Sequence, residues 1–166
     1  MFILSIDTSS KSDSCSIVTL SGELIANISS EIPSVQSENI IDLIDFAVQS
    51  SRIDKREIYK IGVCKGPGSF TGARVGMAAA LGMSISLKAD VFAIDKFDIT
   101  EFETGKKPFF KRGNKNLIKE RGKLVEAKGI GEDWIEIGAL SLTNSIVIAR
   151  MLVNNDKKYR DLSILY

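Results

Sequence analysis

The chain contains no histidine. That absence excludes Ser-His and Cys-His nucleophilic catalysis, the HExxH metalloproteases and every histidine-bearing zinc or iron site. Cysteine is almost as scarce. Cys15 and Cys64 stand apart in strand-like apolar surroundings, without CxxC or metal-ligand spacing, and read as buried, reduced thiols rather than a disulfide framework. Net charge is missing too: 22 Lys+Arg against 21 Asp+Glu leave a formal +1, which argues for neither a generic nucleic-acid coat nor a membrane-surface protein. The opening MFILSID is interrupted by Ser5 and Asp7 and has no basic flank, so it does not read as a secretory leader. No later apolar run approaches membrane-spanning length. The expectation is a cytoplasmic protein with no membrane contact.

What is present is enough apolar residue, 44% of 166, for one domain or for two small lobes sharing a core. Residues 2–7 (FILSID), 15–20 (CSIVTL) and 23–28 (ELIANI) are short, rich in branched apolar residues and separated by turn-forming residues, predicting three strands. The second and third form a hairpin around Ser21-Gly22. From Ser34 to Ser51 the spacing changes to Ile40, Leu43, Ile44, Ala47 and Val48, the periodicity of a helix that Ser34 or Ser37 can cap. Residues 58–64 predict a fourth strand, 71–88 a second helix and 91–95 a fifth strand. The order β-β-β-α-β-α-β predicts an α/β fold with a mixed, ribonuclease-H-like sheet and flanking helices. A boundary near residue 97 divides this first lobe, 1–97, from a shorter second lobe, 98–166. Residues 105–128 carry nine Lys/Arg and two Glu, 134–140 (WIEIGAL) predict a strand, and a helix runs from Thr143 to Asn154 before a closing LSILY.

The densest punctuation is CKGPGSFTGARVG, residues 64–76. A phosphate-binding P-loop fails because Ala73 stands where lysine must follow Gly72. The dinucleotide fingerprint fails at Thr71, where its last glycine belongs, and a nucleophile elbow around Ser69 fails at Pro67. What survives is a strand, a tight loop and a helix N-terminus. Gly66 and Gly68 supply positive φ, Pro67 fixes one dihedral, and Ser69 or Thr71 caps the helix. In that helix Gly72, Gly76 and Gly82 each cost about 1 kcal/mol relative to alanine, so something must offset them. Gly72, Gly76 and Ala80, with Ala79 and Met83 beside them, form a face of low relief that another backbone can approach. The first helix is apolar over a wide arc that includes Ile40, Ile41, Ile44 and Val48. Either the second lobe covers these faces or a partner subunit does.

The run GPGSFTGARVG, between an apolar strand and a small-residue helix, resembles the G-P-G-S-F-T-G-x-R-x-G signature of the bacterial TsaB (YeaZ) family. MFILSIDTSSKSDSCSIVTLSGELI resembles that family's first strand, Asp-Thr turn and hairpin, so the likeness runs from residue 1 to about 97, with a weaker echo in GIGEDWIEIGA. The resemblance implies an actin-like ATPase (ASKHA) fold and a part in making threonylcarbamoyladenosine in tRNA. It implies a non-catalytic subunit with no cofactor, pairing through its first-lobe helices with a TsaD-like paralogue, joined by a TsaE-like ATPase. The interface residues so implied are Ile40, Ile41, Ile44, Val48, Gly72, Gly76, Ala79, Ala80 and Met83, and the signature loop is Gly66, Pro67, Gly68, Ser69, Phe70, Thr71, Gly72 and Arg74. Contact with tRNA is expected to be indirect or weak, and a homodimer through the same helices is a further possibility. In place of the strand pair expected to open the family's second sheet stands the basic segment 98–128. An ATP-binding enzyme with its cleft between the lobes is the alternative. It is disfavoured by the DTSSKSDS turn, which lacks glycines for phosphate approach.

Overall fold

Branched apolar runs at the start of the chain build its central sheet. The computed structural model describes residues 1–30, 39–138, 144–154 and 159–163. Strands β1 (Phe2–Asp7), β2 (Ser14–Thr19) and β3 (Leu24–Ser29) form an antiparallel meander. Then β4 (Ile58–Cys64) pairs in parallel with β1, and β5 (Asp90–Ile94) in parallel with β4. The order β3-β2-β1-β4-β5 is the ribonuclease-H-like sheet. Because β1 is central and covered on both faces, its sequence is almost continuously apolar rather than alternating.

Each face of this sheet has its own helical cover. On one, Leu4, Ile6, Ile17, Ile61 and Val63 pack against α1 (Ile40–Ser51) and α2 (Phe70–Leu87), which contribute Ile40, Ile44, Ala47, Met77 and Ala80. On the other, Ile3, Val18, Phe92 and Ile94 meet Ile99 of α3 (Lys96–Thr104) and Val147, Ile148, Met151 and Leu152 of α4 (Asn144–Asn154). Gly62 lets α4 approach: a Cβ there would collide with the side chains of Ile148 and Leu152. Ser5 and Ser16, buried on the same face, are satisfied by α4, Ser5 Oγ donating to the Ser145 carbonyl at 2.5 Å and Ser16 Oγ lying 2.7 Å from Ser145 Oγ. The boundary near 97 thus falls in the first turn of α3, and α4, from beyond it, completes the first sheet's core.

The basic segment has more structure than its composition suggested. It folds as β6 (Lys107–Arg112), β7 (Lys115–Glu120) and β8 (Lys123–Glu126), and β9 (Trp134–Glu136) joins β6 in parallel to give the order β8-β7-β6-β9. Arg121 and Gly122, both at positive φ, form the two-residue turn between β7 and β8. Elsewhere the elements begin or end within a residue or so of the predicted bounds, with two exceptions: α1 starts at Ile40 after Asn39, which makes no side-chain cap bond, and the strand predicted over 134–140 ends at Glu136, where Ile137 and Gly138, the latter at positive φ, turn away. Ser34, Ser37, Thr143, residues 139–140 of the WIEIGAL strand and the end of LSILY lie outside the described residues. As a helix, α2 does reach membrane-spanning length, 18 residues at a mean hydropathy of 1.2, but it lies across β4, β1 and β5.

Candidate functional site

The glycine-rich loop and the end of β1 fold onto each other. Gly66 takes φ +93, the Gly66–Pro67 bond is cis, and Ser69 Oγ caps α2 by accepting from the Gly72 N–H at 3.1 Å. The Ser69 N–H donates to the Ser9 carbonyl at 2.9 Å. A Cβ on Gly68 would strike that same carbonyl, one on Gly72 the Thr8 carbonyl, and one on Gly76 the Thr8 hydroxyl. Thr8 Oγ1 in turn donates to the Gly72 carbonyl at 2.5 Å. The backbone that approaches the low-relief face of α2 is therefore the chain's own Asp7–Ser10 turn.

Asp7 holds that turn. Its Oδ1 accepts from the Ser9 N–H at 2.8 Å and from Ser9 Oγ at 2.7 Å, and its Oδ2 from Ser10 Oγ at 2.6 Å and Asn144 Nδ2 at 2.7 Å. Burial works against the Asp7 carboxylate. The neighbouring Lys96 ammonium and the hydrogen bonds from Ser10, Ser9 and Asn144 outweigh it and hold the group below the usual carboxylate range. Lys96, itself buried, donates from Nζ to the Ser9 carbonyl at 3.0 Å. Asp13 is the opposite case: its Oδ1 is buried with no hydrogen-bond partner, and burial, then the Asp7 charge, push its carboxyl up to about 6. Neither cysteine is reactive. Both are free and buried, and burial raises each thiol to about 12.

Over this corner opens a cleft of about 720 Å³, floored by Ser9, Ser10, Gly68 and Lys96 and walled by α3 and by Phe110 and Glu136 of the second sheet. Lys119 of β7 ties the two walls together, its Nζ 2.7 Å from Asp95 Oδ2 and 2.9 Å from Asp98 Oδ1. Burial disfavours that ammonium, but its hydrogen bonds and charge pairing with Asp95 and Asp98 prevail and raise its pKa. Among the described residues no three His, Cys, Asp or Glu gather as a metal-ligand set.

The predicted interface residues divide. Ile40, Ile44 and Ala80 point into the core, and Gly72 and Gly76 are occupied by Thr8, so these five do not face outward. Val48, Ala79 and Met83 are half-buried beside that core. Ile41 remains open, and with it stand apolar residues that the sequence reading did not select: Phe46 on α1 and Leu81 and Ile85 on α2. Arg74, Ala78, Leu81 and Ile85 follow one outward line of α2, and the Arg74 guanidinium stacks 3.6 Å over the Phe70 ring at its start. Lys96, Asn144 and Asp13 were also missed. The only local signal for Lys96 is its place after Asp95 at the end of an apolar strand.

Comparison with known proteins agrees with this architecture. A family model described as "TsaD: tRNA N6-adenosine threonylcarbamoyltransferase" matches residues 32–107. The tRNA threonylcarbamoyladenosine biosynthesis protein TsaB of Buchnera aphidicola subsp. Schizaphis graminum is 31% identical over 97 residues, 58% of this chain and 45% of that protein. Its counterpart from Buchnera aphidicola subsp. Acyrthosiphon pisum is 29% identical over 105 residues, 63% of this chain and 47% of that protein. The match thus spans less than half the length of either curated relative. In fold, YeaZ from Pseudomonas aeruginosa superposes with a TM-score of 0.62 at 15% identity, covering 82% of this chain and 75% of that one. The fold is actin-like (ASKHA), with a second sheet of four strands.

Proposed function

We propose that the chain belongs to the TsaB (YeaZ) family and serves threonylcarbamoyladenosine biosynthesis in tRNA as a non-catalytic subunit docking on a TsaD-like catalytic partner. The observation that carries this reading is the outer face of α1 and α2, where Ile41, Phe46, Leu81 and Ile85 are held in water on helices whose other faces already fill the core. Ile85 is 82% exposed. Burying it in an interface contributes roughly 1.5–3 kcal/mol, about ten- to a hundredfold in affinity.

The corner beneath the cleft supports the non-catalytic part. Both Asp7 oxygens are engaged by the chain's own donors, and Lys96 is turned onto a backbone carbonyl, so the groups that could hold a metal or a phosphate are already spent on structure. A TsaE-like ATPase joining the pair in the cytoplasm belongs to the same reading, with a homodimer through these faces as the rival occupant. Copurification with a TsaD-like protein tests it. Ile41→Glu with Ile85→Glu should abolish capture and lower tRNA threonylcarbamoylation without shifting the melting temperature; persistence of both would overturn the proposal. The cleft favours one second reading, ATP binding between the lobes, and heat released on titrating ATP with magnesium would establish it in place of the first.

A further inference from the structure

The formal charge of +1 hides a strong internal separation. Residues 105–128 hold nine Lys+Arg and two Glu, leaving 13 Lys+Arg against 19 Asp+Glu in the rest of the chain. The structure gathers that excess on one element, the β6–β8 meander. Lys107, Lys115 and Lys119 are spent on ion pairs with Asp133, Glu126 and the Asp95–Asp98 pair. The other six, Lys106, Lys111, Arg112, Arg121, Lys123 and Lys128, are exposed and form no ion pair among the described residues.

Their distribution is set by register. Lys107 pairs with Trp134, Lys111 with Asn116, and Glu120 with Lys123, which puts Lys107, Lys111 and Lys123 on the Trp134 face of the sheet. Phe110 and Lys119 lie on the opposite face, toward α3. The face turned from the first lobe therefore carries the unpaired Lys111 and Lys123, with Glu120 opposite Lys123, and the tight turn between β7 and β8 adds Arg121, whereas Arg112, paired in register with Lys115, ends β6 on the other face. An acidic body that concentrates unpaired cations on one small sheet is complementary to a polyanion. We infer that the β6–β8 meander binds the RNA phosphate backbone directly. Its choice of tRNA as the RNA rests on the proposed function; its electrostatics do not.

The test titrates a fluorophore-labelled, unmodified tRNA transcript with the full chain, following anisotropy together with the emission of Trp134, the single tryptophan, which sits in this sheet. Engagement of about four phosphates gives a log–log salt slope near −3 between about 50 and 200 mM salt. Lys111→Glu with Lys123→Glu should weaken binding by about tenfold or more and flatten that slope by about 1.5. Lys55→Glu with Lys88→Glu, an equal change of charge on the first lobe, should leave affinity within about twofold. Unchanged Trp134 emission in the free variants verifies the sheet, and Lys111→Gln with Lys123→Gln should fall between the reversed and native chains. No binding by the native chain at low salt overturns the inference. So does equal loss in both reversal pairs, or loss of TsaD-like capture on reversal with a flat RNA titration, which would mean an acidic protein partner. Failure of the Ile41–Ile85 variant to disrupt capture, with this RNA binding intact, would instead overturn only the proposed function.

Discussion

At Gly72 and Gly76 an added methyl group would run into Thr8, whereas at Gly82 it would meet nothing within 4 Å. The three glycines share a helix and the same intrinsic penalty of about 1 kcal/mol, but only two have a neighbour that requires them. Gly72→Ala should therefore destabilise the chain by about 3 kcal/mol or more in urea melts, because the obstruction is backbone. Gly82→Ala should stabilise it by about 0.5–1 kcal/mol. The two buried aspartates of the first turn make an equally clear pair. Asp7 has a folded pKa below its unfolded one, so the stability it lends is present above pH ~4 and is lost as pH falls through its folded value. Asp13 runs the other way. Its carboxyl, at about 6 when folded, costs stability as pH rises from ~4 to ~6. Asp13→Asn should raise the melting temperature at pH 7 by a few degrees and flatten that part of the pH profile, as calorimetry at several pH values will report.

At the scale of elements, legibility followed pattern strength. The five strands of the first sheet and helices α1, α2 and α4 were readable because each is a predominantly apolar run, short and branched in the strands and longer in the helices, bounded by turn-forming residues. The meander was not, because Lys107, Lys111, Lys115, Lys119 and Lys123 recur through its strands and outweigh the short apolar pairs Phe109-Phe110, Leu117-Ile118 and Leu124-Val125. Helix α3 was hidden for a related reason: it is nine residues long and buries Lys96 and Thr100 beside Phe97 and Ile99. The site was half-readable. The signature loop was placed by residue type and its cap narrowed to Ser69 or Thr71, of which Ser69 is the one that caps, but which glycine faced Thr8 and which isoleucine faced water depends on packing between elements distant in sequence. The ion pairs of Lys119 are a case in point, since they join β7 to the first turn of α3 while partly shielded from water. Lys119→Met should cost about 1–3 kcal/mol by stranding two carboxylates and should speed proteolysis within the meander before the first lobe is cut.

Across the whole molecule, the two faces of the first sheet are closed by different parts of the chain. Helices α1 and α2 follow their strands closely, but α4 begins 50 positions after the last residue of β5 to cover Ile3, Val18, Phe92 and Ile94. Gly62→Val should lift α4 from its seat against Ile148 and Leu152. Its expected mark is a loss of several kcal/mol with exposed apolar surface, measurable by dye binding at temperatures where the native chain binds none. That arrangement also has a consequence during synthesis. A ribosome making this protein releases all five strands of the central sheet, with Ile3, Val18, Phe92 and Ile94 uncovered, well before residues 144–154 leave the exit tunnel. The nascent chain therefore passes through an interval in which one side of its core has no lid, and the speed of translation through the meander sets how long that interval lasts.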